Sequence, residues 1–351
     1  MTIRQALNLA MDHERSGRLA EAERLCTEIL DRQPKLSAAW HLRAMIAARA
    51  GRNDIALEMV PRAIAIDPNA AELHANCGEF NRRLGKTDQA IASLRRAVEL
   101  NPGMPVAWNN LGNALKDRGM IDEAMAAYKK ATELQPDFAM AHNNLGIAPR
   151  LAGKLDESIS VFNRAIELEP NDAGAHSNRG NAQRELGRFA EAMISCREAI
   201  RLRPGYPEAY DNLGNVLFDQ DRFAEAIDVI REGIETNPSR AIAHNNLALA
   251  LGAMGRFAEA IRAAGFAVQL DGRYADGFNT LGNLPAEEGR YSEAADALER
   301  AIRLKPGLAD AHVNLAFILL LHGDFERGWA EHQWREKAKP KYRPSQFVQP
   351  K

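Results

Sequence analysis

The stretch PVAWNNLGNALKDRGMIDEAMAAYKKATELQPDF, residues 105–138, contains the pattern that decides the fold. Its apolar residues recur at helical spacing on both sides of Gly119, and Pro136 follows the second run. A glycine can end a helix in the left-handed backbone conformation, and a proline cannot continue the hydrogen-bond ladder of a helix. The stretch therefore predicts two helices joined by a tight turn.

The same marks return every 34 residues along the chain. The proline series is Pro34, Pro68, Pro102, Pro136, Pro170, Pro204, Pro238, Pro306 and Pro340, with Gly272 in the remaining place. The glycine series is Gly17, Gly51, Gly85, Gly119, Gly153, Gly187, Gly255, Gly289 and Gly323, with Asp221 in the remaining place. One helical hairpin cannot bury its own apolar face, so we expect the units to stack around a shared core.

This periodicity predicts an all-α fold, a right-handed α-solenoid superhelix of about ten 34-residue helix–turn–helix repeats. No segment alternates with a period of two, which argues against strands. We place the solenoid at residues 1–340 and an extended C-terminal tail at 341–351. The repeats are expected near 3–36, 37–70, 71–104, 105–138, 139–172, 173–206, 207–240, 241–274, 275–308 and 309–340, the last of them a degenerate cap.

The quoted unit resembles the tetratricopeptide repeat. We number its positions from residue 105, so that Pro136 is position 32. It has an aromatic residue at position four, Leu-Gly at positions seven and eight, alanine at 20 and 27, and tyrosine at 24. The resemblance covers roughly residues 3–340 and implies a helical scaffold for protein–protein interaction. It does not imply a particular partner, because this fold serves many.

Charge and composition argue against two classes of function, nucleic-acid binding and membrane insertion. The formal net charge is −2, which is not the basic footprint of a nucleic-acid-binding protein. The longest apolar run, Leu315–Leu321, is too short to cross a bilayer, and no signal-peptide pattern follows Met1. We expect a cytoplasmic protein whose partners are proteins or peptides, not nucleic acid or membranes. The sequence leaves its oligomeric state open.

The cysteines are Cys26, Cys77 and Cys196. An odd number without close spacing does not suggest a disulfide framework or a zinc site. We expect three small buried apolar residues in a reducing compartment.

Asparagine recurs at position six of the first helix in eight of ten repeats. Because asparagine is a mediocre helix former, this recurrence asks for a reason. A carboxamide offers a donor and an acceptor, so a row of them could hold the backbone of an extended polypeptide in a concave groove. The predicted peptide-binding residues are Asn76, Asn110, Asn144, Asn178, Asn212, Asn246 and Asn314 at position six, with Asn113, Asn181 and Asn215 at position nine.

An alternative is that these amides bond between adjacent helices and hold the stack together. The two roles are compatible. Position five is expected to extend the groove wall, with Asn109, Asn143, Ser177, Asp211, Asn245 and Asn279.

The asparagine row also resembles the repeat region of O-GlcNAc transferases and their bacterial relatives, where it is taken to hold the acceptor protein. The segment LLLHGDFERGWAEHQWREKAKPKYRPSQFVQP is similar to the junction that leads into the glycosyltransferase domain of such bacterial chains. No Gly-rich phosphate loop occurs in these 351 residues, so we expect no enzyme activity, no catalytic residue and no cofactor. The resemblance implies at most an acceptor-recognition arm. A self-assembling scaffold is a further alternative.

Three other features have structural interpretations. Histidines at position four (His74, His142, His176, His244 and His312) lie one repeat or more apart, too far for one metal ion, and are interpreted as packing residues. Pro149 and Pro285 fall at position eleven, where a kink near the helix end is expected, or else a change of superhelix pitch. Gly328-Trp329 and Trp334 are expected to cap the last apolar face.

Overall fold

The structure is a computed structural model that describes residues 1–287 and 289–338. The predicted tail at 341–351 and Pro340 lie outside the described residues, and so does the side chain of Pro285. The described chain is all-α and contains no strand, as predicted.

The chain divides into two units, Met1–Asn171 and Asp172–Lys351. Unit 1 contains α1 (Ile3–Arg15), α2 (Leu19–Arg32), α3 (Ser37–Arg49), α4 (Asn53–Ile66), α5 (Ala71–Arg83), α6 (Thr87–Leu100), α7 (Pro105–Asp117), α8 (Ile121–Leu134), α9 (Ala139–Leu151) and α10 (Leu155–Leu168). Unit 2 contains α11 (Ala173–Glu185), α12 (Phe189–Leu202), α13 (Pro207–Asp219), α14 (Phe223–Thr236), α15 (Ala241–Ala253), α16 (Phe257–Leu270), α17 (Ala275–Glu287), α18 (Tyr291–Leu304), α19 (Ala309–Leu321), α20 (Phe325–His332) and a 3₁₀ helix (Gln333–Glu336). Each odd-numbered helix is the first helix of a repeat and packs on the helix that follows it.

The turn within each repeat has the predicted left-handed residue. Gly119 has φ 83°, and every other glycine of the series also has a positive φ. Asp221, which replaces glycine, adopts φ 57°, a conformation that aspartate tolerates better than most residues do.

Each proline of the series from Pro34 to Pro306 follows a second helix. In the quoted repeat α8 ends at Leu134, and the N–H of Gln135 closes the last turn on the Ala131 carbonyl at 3.0 Å. Gln135 itself is extended (φ −138°, ψ 90°), as expected for the residue before a proline. Pro136 disfavours the helical conformation of its predecessor, which favours a helix end at this point.

In several repeats, the side chain at position four bonds to the proline that precedes the repeat. Trp108 Nε1 donates to the Pro102 carbonyl at 2.8 Å, and the Tyr210 hydroxyl donates to the Pro204 carbonyl at 3.0 Å. His142 Nε2 makes the same contact with Pro136 at 3.0 Å. A carbonyl can only accept, so Nε2 carries the ring proton in that contact and is not a free metal ligand. The packing interpretation fits this geometry.

The two helices of a repeat approach most closely at position eight. A Cβ on Gly112 would lie 2.5 Å from the Tyr128 ring at position 24, and a Cβ on Gly146 would lie 2.6 Å from Phe162. In two repeats that have alanine at position eight, position 24 is smaller than Tyr128: Ala44 goes with Val60, and Ala248 goes with Ala264. The two positions therefore share one volume in the core.

Pro149 does not shorten its helix. α9 has 13 residues like the other first helices, and Pro149 is buried at its eleventh position. Its carbonyl accepts from the N–H of Lys154 at 2.8 Å, which closes the turn normally. This matches the interpretation of a proline tolerated near a helix end.

The terminal cap is only partly as expected. The Trp334 ring stacks on His312 with centroids 4.1 Å apart, and His312 Nδ1 also contacts Glu331. Trp329, by contrast, is 57% exposed, so its predicted role in covering the last apolar face is wrong. Its ring meets His332 edge-on, one turn along the short helix α20.

We expect Gly112→Ala to lower the free energy of unfolding by about 1–3 kcal/mol, because the new Cβ overpacks against Tyr128. Gly265→Ala is the matched control, since nothing lies within 4 Å of the new Cβ in α16; it should be neutral or stabilising by about 0.5–1 kcal/mol. Adding Tyr128→Val, which copies the Ala44 and Val60 pair, should recover part of the loss. Urea unfolding of Gly265→Ala, Gly112→Ala, Tyr128→Val and the double variant measures this. Purely additive losses in the double variant would contradict it.

Cys26 and Cys196 are buried, as predicted, whereas Cys77 is half-buried. Burial raises the pKa of Cys26 to about 11 and that of Cys196 to about 12. Both groups therefore remain thiols at neutral pH and behave as apolar residues.

We expect iodoacetamide at pH 8 to leave Cys26 and Cys196 unmodified in the native protein and to modify both in urea, as read by peptide mass spectrometry. The thiols' pKa values are raised above the unfolded value of about 8.5, so they favour the folded state below that pH. That contribution is lost as pH rises towards the folded values of about 11 and 12. Rapid native alkylation of Cys196 would contradict this account.

Candidate peptide-binding surface

The first helices form one layer in each unit. In unit 1 α5 contacts α7 and α7 contacts α9, and in unit 2 the same holds for successive odd helices from α11 to α19. Successive second helices make no comparably close backbone contact in the described chain. Within each unit, the first helices therefore lie on the side where neighbouring repeats are closest.

The predicted peptide-binding residues all lie on first helices and are half-buried. In unit 1 they are Asn76 on α5, Asn110 and Asn113 on α7, and Asn144 on α9. In unit 2 they are Asn178 and Asn181 on α11, Asn212 and Asn215 on α13, Asn246 on α15, and Asn314 on α19.

Four position-six amides reach position five of the preceding repeat, 35 residues earlier. The Nδ2 of each asparagine is the donor: Asn76 to His41 Nε2 at 2.7 Å, Asn144 to Asn109 Oδ1 at 2.8 Å, Asn212 to Ser177 Oγ at 2.9 Å, and Asn314 to Asn279 Oδ1 at 3.2 Å. Burial lowers the pKa of His41, which favours the neutral ring. Because the amide nitrogen of Asn76 can only donate, Nε2 of that ring is the acceptor in this contact. These bonds form a ladder that joins neighbouring repeats.

The ladder supports the alternative that these four amides hold the stack together. It does not occupy every donor and acceptor of their side chains. Each carboxamide has two N–H groups and one oxygen, and the ladder uses one N–H. In Asn144 the Oδ1 has no hydrogen-bond partner among the described residues. The row can therefore hold the stack and still present acceptors.

The expectation that position five lines the groove is wrong for four residues. Asn109 and Ser177 are 1% exposed, Asn245 is 5% exposed and Asp211 is 6% exposed. These side chains lie between adjacent first helices, where Asn109 and Ser177 accept the ladder bonds. They are not available to a ligand.

Asn110 differs from the other members of the row in unit 1. Position five of the preceding repeat is Ala75, which has no side-chain acceptor. Asn110 consequently has no hydrogen-bond partner among the residues that the structure describes, and its amide atoms are not sealed from solvent. Val106, one turn earlier, is 52% exposed, and Met140 is 55% exposed at the same position of the next repeat.

The ladder is also broken around Asn246. Its acceptor would be Asp211, but Arg240 Nε donates to Asp211 Oδ2 at 2.6 Å and its Nη1 donates to Glu208 at 2.9 Å. Burial raises the pKa of Asp211 although Arg240 opposes that shift. The Nδ2 of Asn246 is left buried without a partner. Sequence reasoning missed this ion pair, although Arg240 stands out because position 34 is apolar in most repeats.

The position-nine asparagines differ in the hydrogen bonds that their side chains make. The Tyr128 hydroxyl donates to Asn113 Oδ1 at 2.8 Å, and Arg184 Nε donates weakly to Asn181 Oδ1 at 3.4 Å. Asn215 has no side-chain hydrogen bond within the described ranges. Asn113 is therefore in part a partner for the buried tyrosine of its own repeat.

The described residues contain no group of three His, Cys, Asp or Glu side chains arranged to hold a metal ion. Among the described helices, none combines the length and apolar character needed to span a bilayer.

Comparison with known families identifies the repeat. A family model described as tetratricopeptide repeat matches residues 7–71, 152–207 and 212–277. A second, described as TPR repeat, matches residues 81–119, 112–148 and 282–323. The chain belongs to the tetratricopeptide repeat family. Tetratricopeptide repeat proteins generally mediate protein–protein interactions.

Solved structures share the fold of this tetratricopeptide repeat protein. A chain in the crystal structure of the APC/C hetero-tetramer Cut9-Hcn1 matches with a TM-score of 0.60 and 20% identity, over 88% of this chain and 60% of that one. Yeast Tom70 matches with a TM-score of 0.56 and 14% identity, over 96% of this chain and 92% of that one. No curated protein sequence matches this chain. At these identities the likeness concerns the fold alone.

We expect Asn144→Ala to lower the free energy of unfolding by about 1–2 kcal/mol, because it leaves the buried Asn109 Oδ1 without its donor. Asn110→Ala is the matched comparison in the same row. It removes no internal hydrogen bond and introduces a better helix former, so its stability should be unchanged or slightly higher. Denaturant unfolding of both variants tests the ladder, and an equal loss in the two would contradict it.

Proposed function

We propose that this tetratricopeptide repeat protein binds a partner protein through an extended segment laid across the first-helix layer, with the position-six carboxamides holding its backbone. The observation that carries the proposal is Asn110, an amide that no internal contact explains, in a row where Asn144 also keeps an oxygen without a partner among the described residues. The proposal concerns the row within each unit separately.

The spacing of the row favours an extended ligand. Neighbouring packed helices lie about 8–10 Å apart, so one rung occurs about every 10 Å. A polyproline II segment advances about 9 Å in one turn of three residues. Every third peptide group of such a segment would thus present the same face to the next carboxamide.

Side chains next to the amides would add affinity. A hydrogen bond contributes about 1 kcal/mol net, so the three rungs of unit 1 supply only a few kcal/mol, which ordering of the ligand offsets. The exposed Val106 and Met140 lie one helical turn before Asn110 and Asn144 and offer apolar contact. We therefore propose weak backbone recognition supplemented by apolar side chains of the partner.

The test uses displayed, unstructured 15-residue peptides selected for binding to the full chain. We expect Asn110→Ala to weaken the selected peptides by about three- to tenfold, the equivalent of one hydrogen bond, without loss of stability. Gln89→Ala, an exposed amide on the second helix α6, is the control and should leave binding unchanged. Selected peptides that bind the Asn110→Ala protein as well as the parent would overturn the proposal.

A second candidate is the acceptor-recognition arm of a protein glycosyltransferase. It is favoured by the resemblance of the asparagine row to O-GlcNAc transferase-like proteins, with asparagine at position six of eight repeats. A nucleotide-sugar-binding domain, encoded in continuation of residue 351 or by a neighbouring reading frame, would support it. Peptide selection that yields no Ser- or Thr-containing segments would count against it.

A further inference from the structure

Phe266 on α16 departs from the pattern of the other second helices. It occupies position 26 of its repeat and is 55% exposed. The corresponding residues of the other repeats with a full second helix are all charged: Glu28, Arg62, Arg96, Lys130, Arg164, Glu198, Glu232 and Arg300. A large apolar side chain in an otherwise charged series calls for a physical reason.

In two repeats the charged residue covers the ring at position four. The Arg62 guanidinium lies 4.7 Å from the centroid of Trp40, and that of Arg300 lies 6.0 Å from the centroid of Phe278. In the eighth repeat Phe266 takes this place against His244, with ring centroids 6.0 Å apart. An apolar ring thus packs on the position-four ring of this repeat, where Arg62 and Arg300 place a charged group in theirs.

Phe266 borders a pocket of about 390 Å³ formed by α14, α15 and α16. Its apolar lining is Ile234, Leu247, Leu251, Ala263 and Phe266. Leu251 and Ala263 belong to the buried core of unit 2, so the pocket opens directly onto core side chains. The position-six Asn246 is not part of this lining, and the pocket is distinct from the carboxamide row.

The rim carries two acids and two bases, Glu235, Glu259, Arg231 and Arg262. Arg231 and Glu259 approach each other to 3.8 Å across the groove. Glu235 on α14 and Arg262 on α16 have no ion pair among the described residues. One unpaired acid and one unpaired base therefore stand on opposite walls. A rim with equal numbers of each sign does not favour a polyanion or an anionic lipid surface.

We propose that this pocket docks a helix of a protein partner, with one large apolar anchor seated against Phe266, a basic residue facing Glu235 and an acidic residue facing Arg262. A groove between two helices over an apolar floor is the surface that an amphipathic helix fills. The two unpaired charges set the orientation of that helix, because reversing it places like charges together. This site is independent of the proposed carboxamide row.

The probes are synthetic 18-residue amphipathic helices with a Leu, Phe or Trp anchor. Each carries Lys one turn to one side of the anchor and Glu one turn to the other, in both orders. Fluorescence anisotropy with the full chain should show that one order binds in the micromolar range and the reversed order binds at least about tenfold more weakly.

Phe266→Arg restores the charged residue of the other repeats and should fold normally, since Arg62 and Arg300 occupy the same position. This substitution should weaken binding of the preferred peptide by at least about tenfold. Ile194→Arg, at another exposed apolar residue (68% exposed) of a second helix, is the control and should leave binding unchanged. Glu235→Lys combined with Arg262→Glu should invert the preferred order of charges.

The proposal is overturned if no peptide of the set binds, if Phe266→Arg and Ile194→Arg have equal effects, or if the charge swap does not invert the preference. Sedimentation of the parent chain distinguishes a partner helix from a second possible occupant of the pocket, another copy of this chain. Concentration-dependent dimerisation that Phe266→Arg abolishes would assign the pocket to another copy of this chain and would also overturn the proposal.

Discussion

The close approach of two helices at position eight is the constraint on which the rest of the structure depends. Gly112 lacks the Cβ that would meet the Tyr128 ring, so α7 and α8 can pack with that ring buried between them. The turn residue at Gly119 and the helix stop at Pro136 then set the length of the hairpin. Hairpins of equal length stack in register, which is why equivalent side chains of successive repeats meet.

That register gives the asparagine row two physical roles. Asn144 donates to Asn109 and joins two repeats, while the same carboxamide keeps an oxygen without an internal partner. Asn110, in the same row, has no internal bond because Ala75 stands where its acceptor would be. One residue type at one position therefore joins neighbouring repeats at some places in the row and has no internal hydrogen-bond partner at Asn110.

The second helices present a different surface. In the repeats with a full second helix, position 26 is charged except at Phe266. The consequence is a pocket whose floor belongs to the core and whose rim holds unpaired charges of both signs. The protein thus has two chemically distinct surfaces, one of neutral amides on first helices and one apolar with a charged rim between second helices.

The sequence by itself determined the helices, their turns and their ends, because these follow from local backbone chemistry at Gly119, Pro136 and their equivalents. It also located the asparagine row, since a period of 34 residues is visible without coordinates. Only the tertiary structure decided which amides form hydrogen bonds within the protein, because the partner of Asn144 lies 35 residues earlier on a different helix. The repeat spacing likewise did not predict the burial of Asn109, the ion pair between Asp211 and Arg240, or the exposure of Trp329. Each depends on contacts between helices, which a repeat period predicts in register but not in atomic detail.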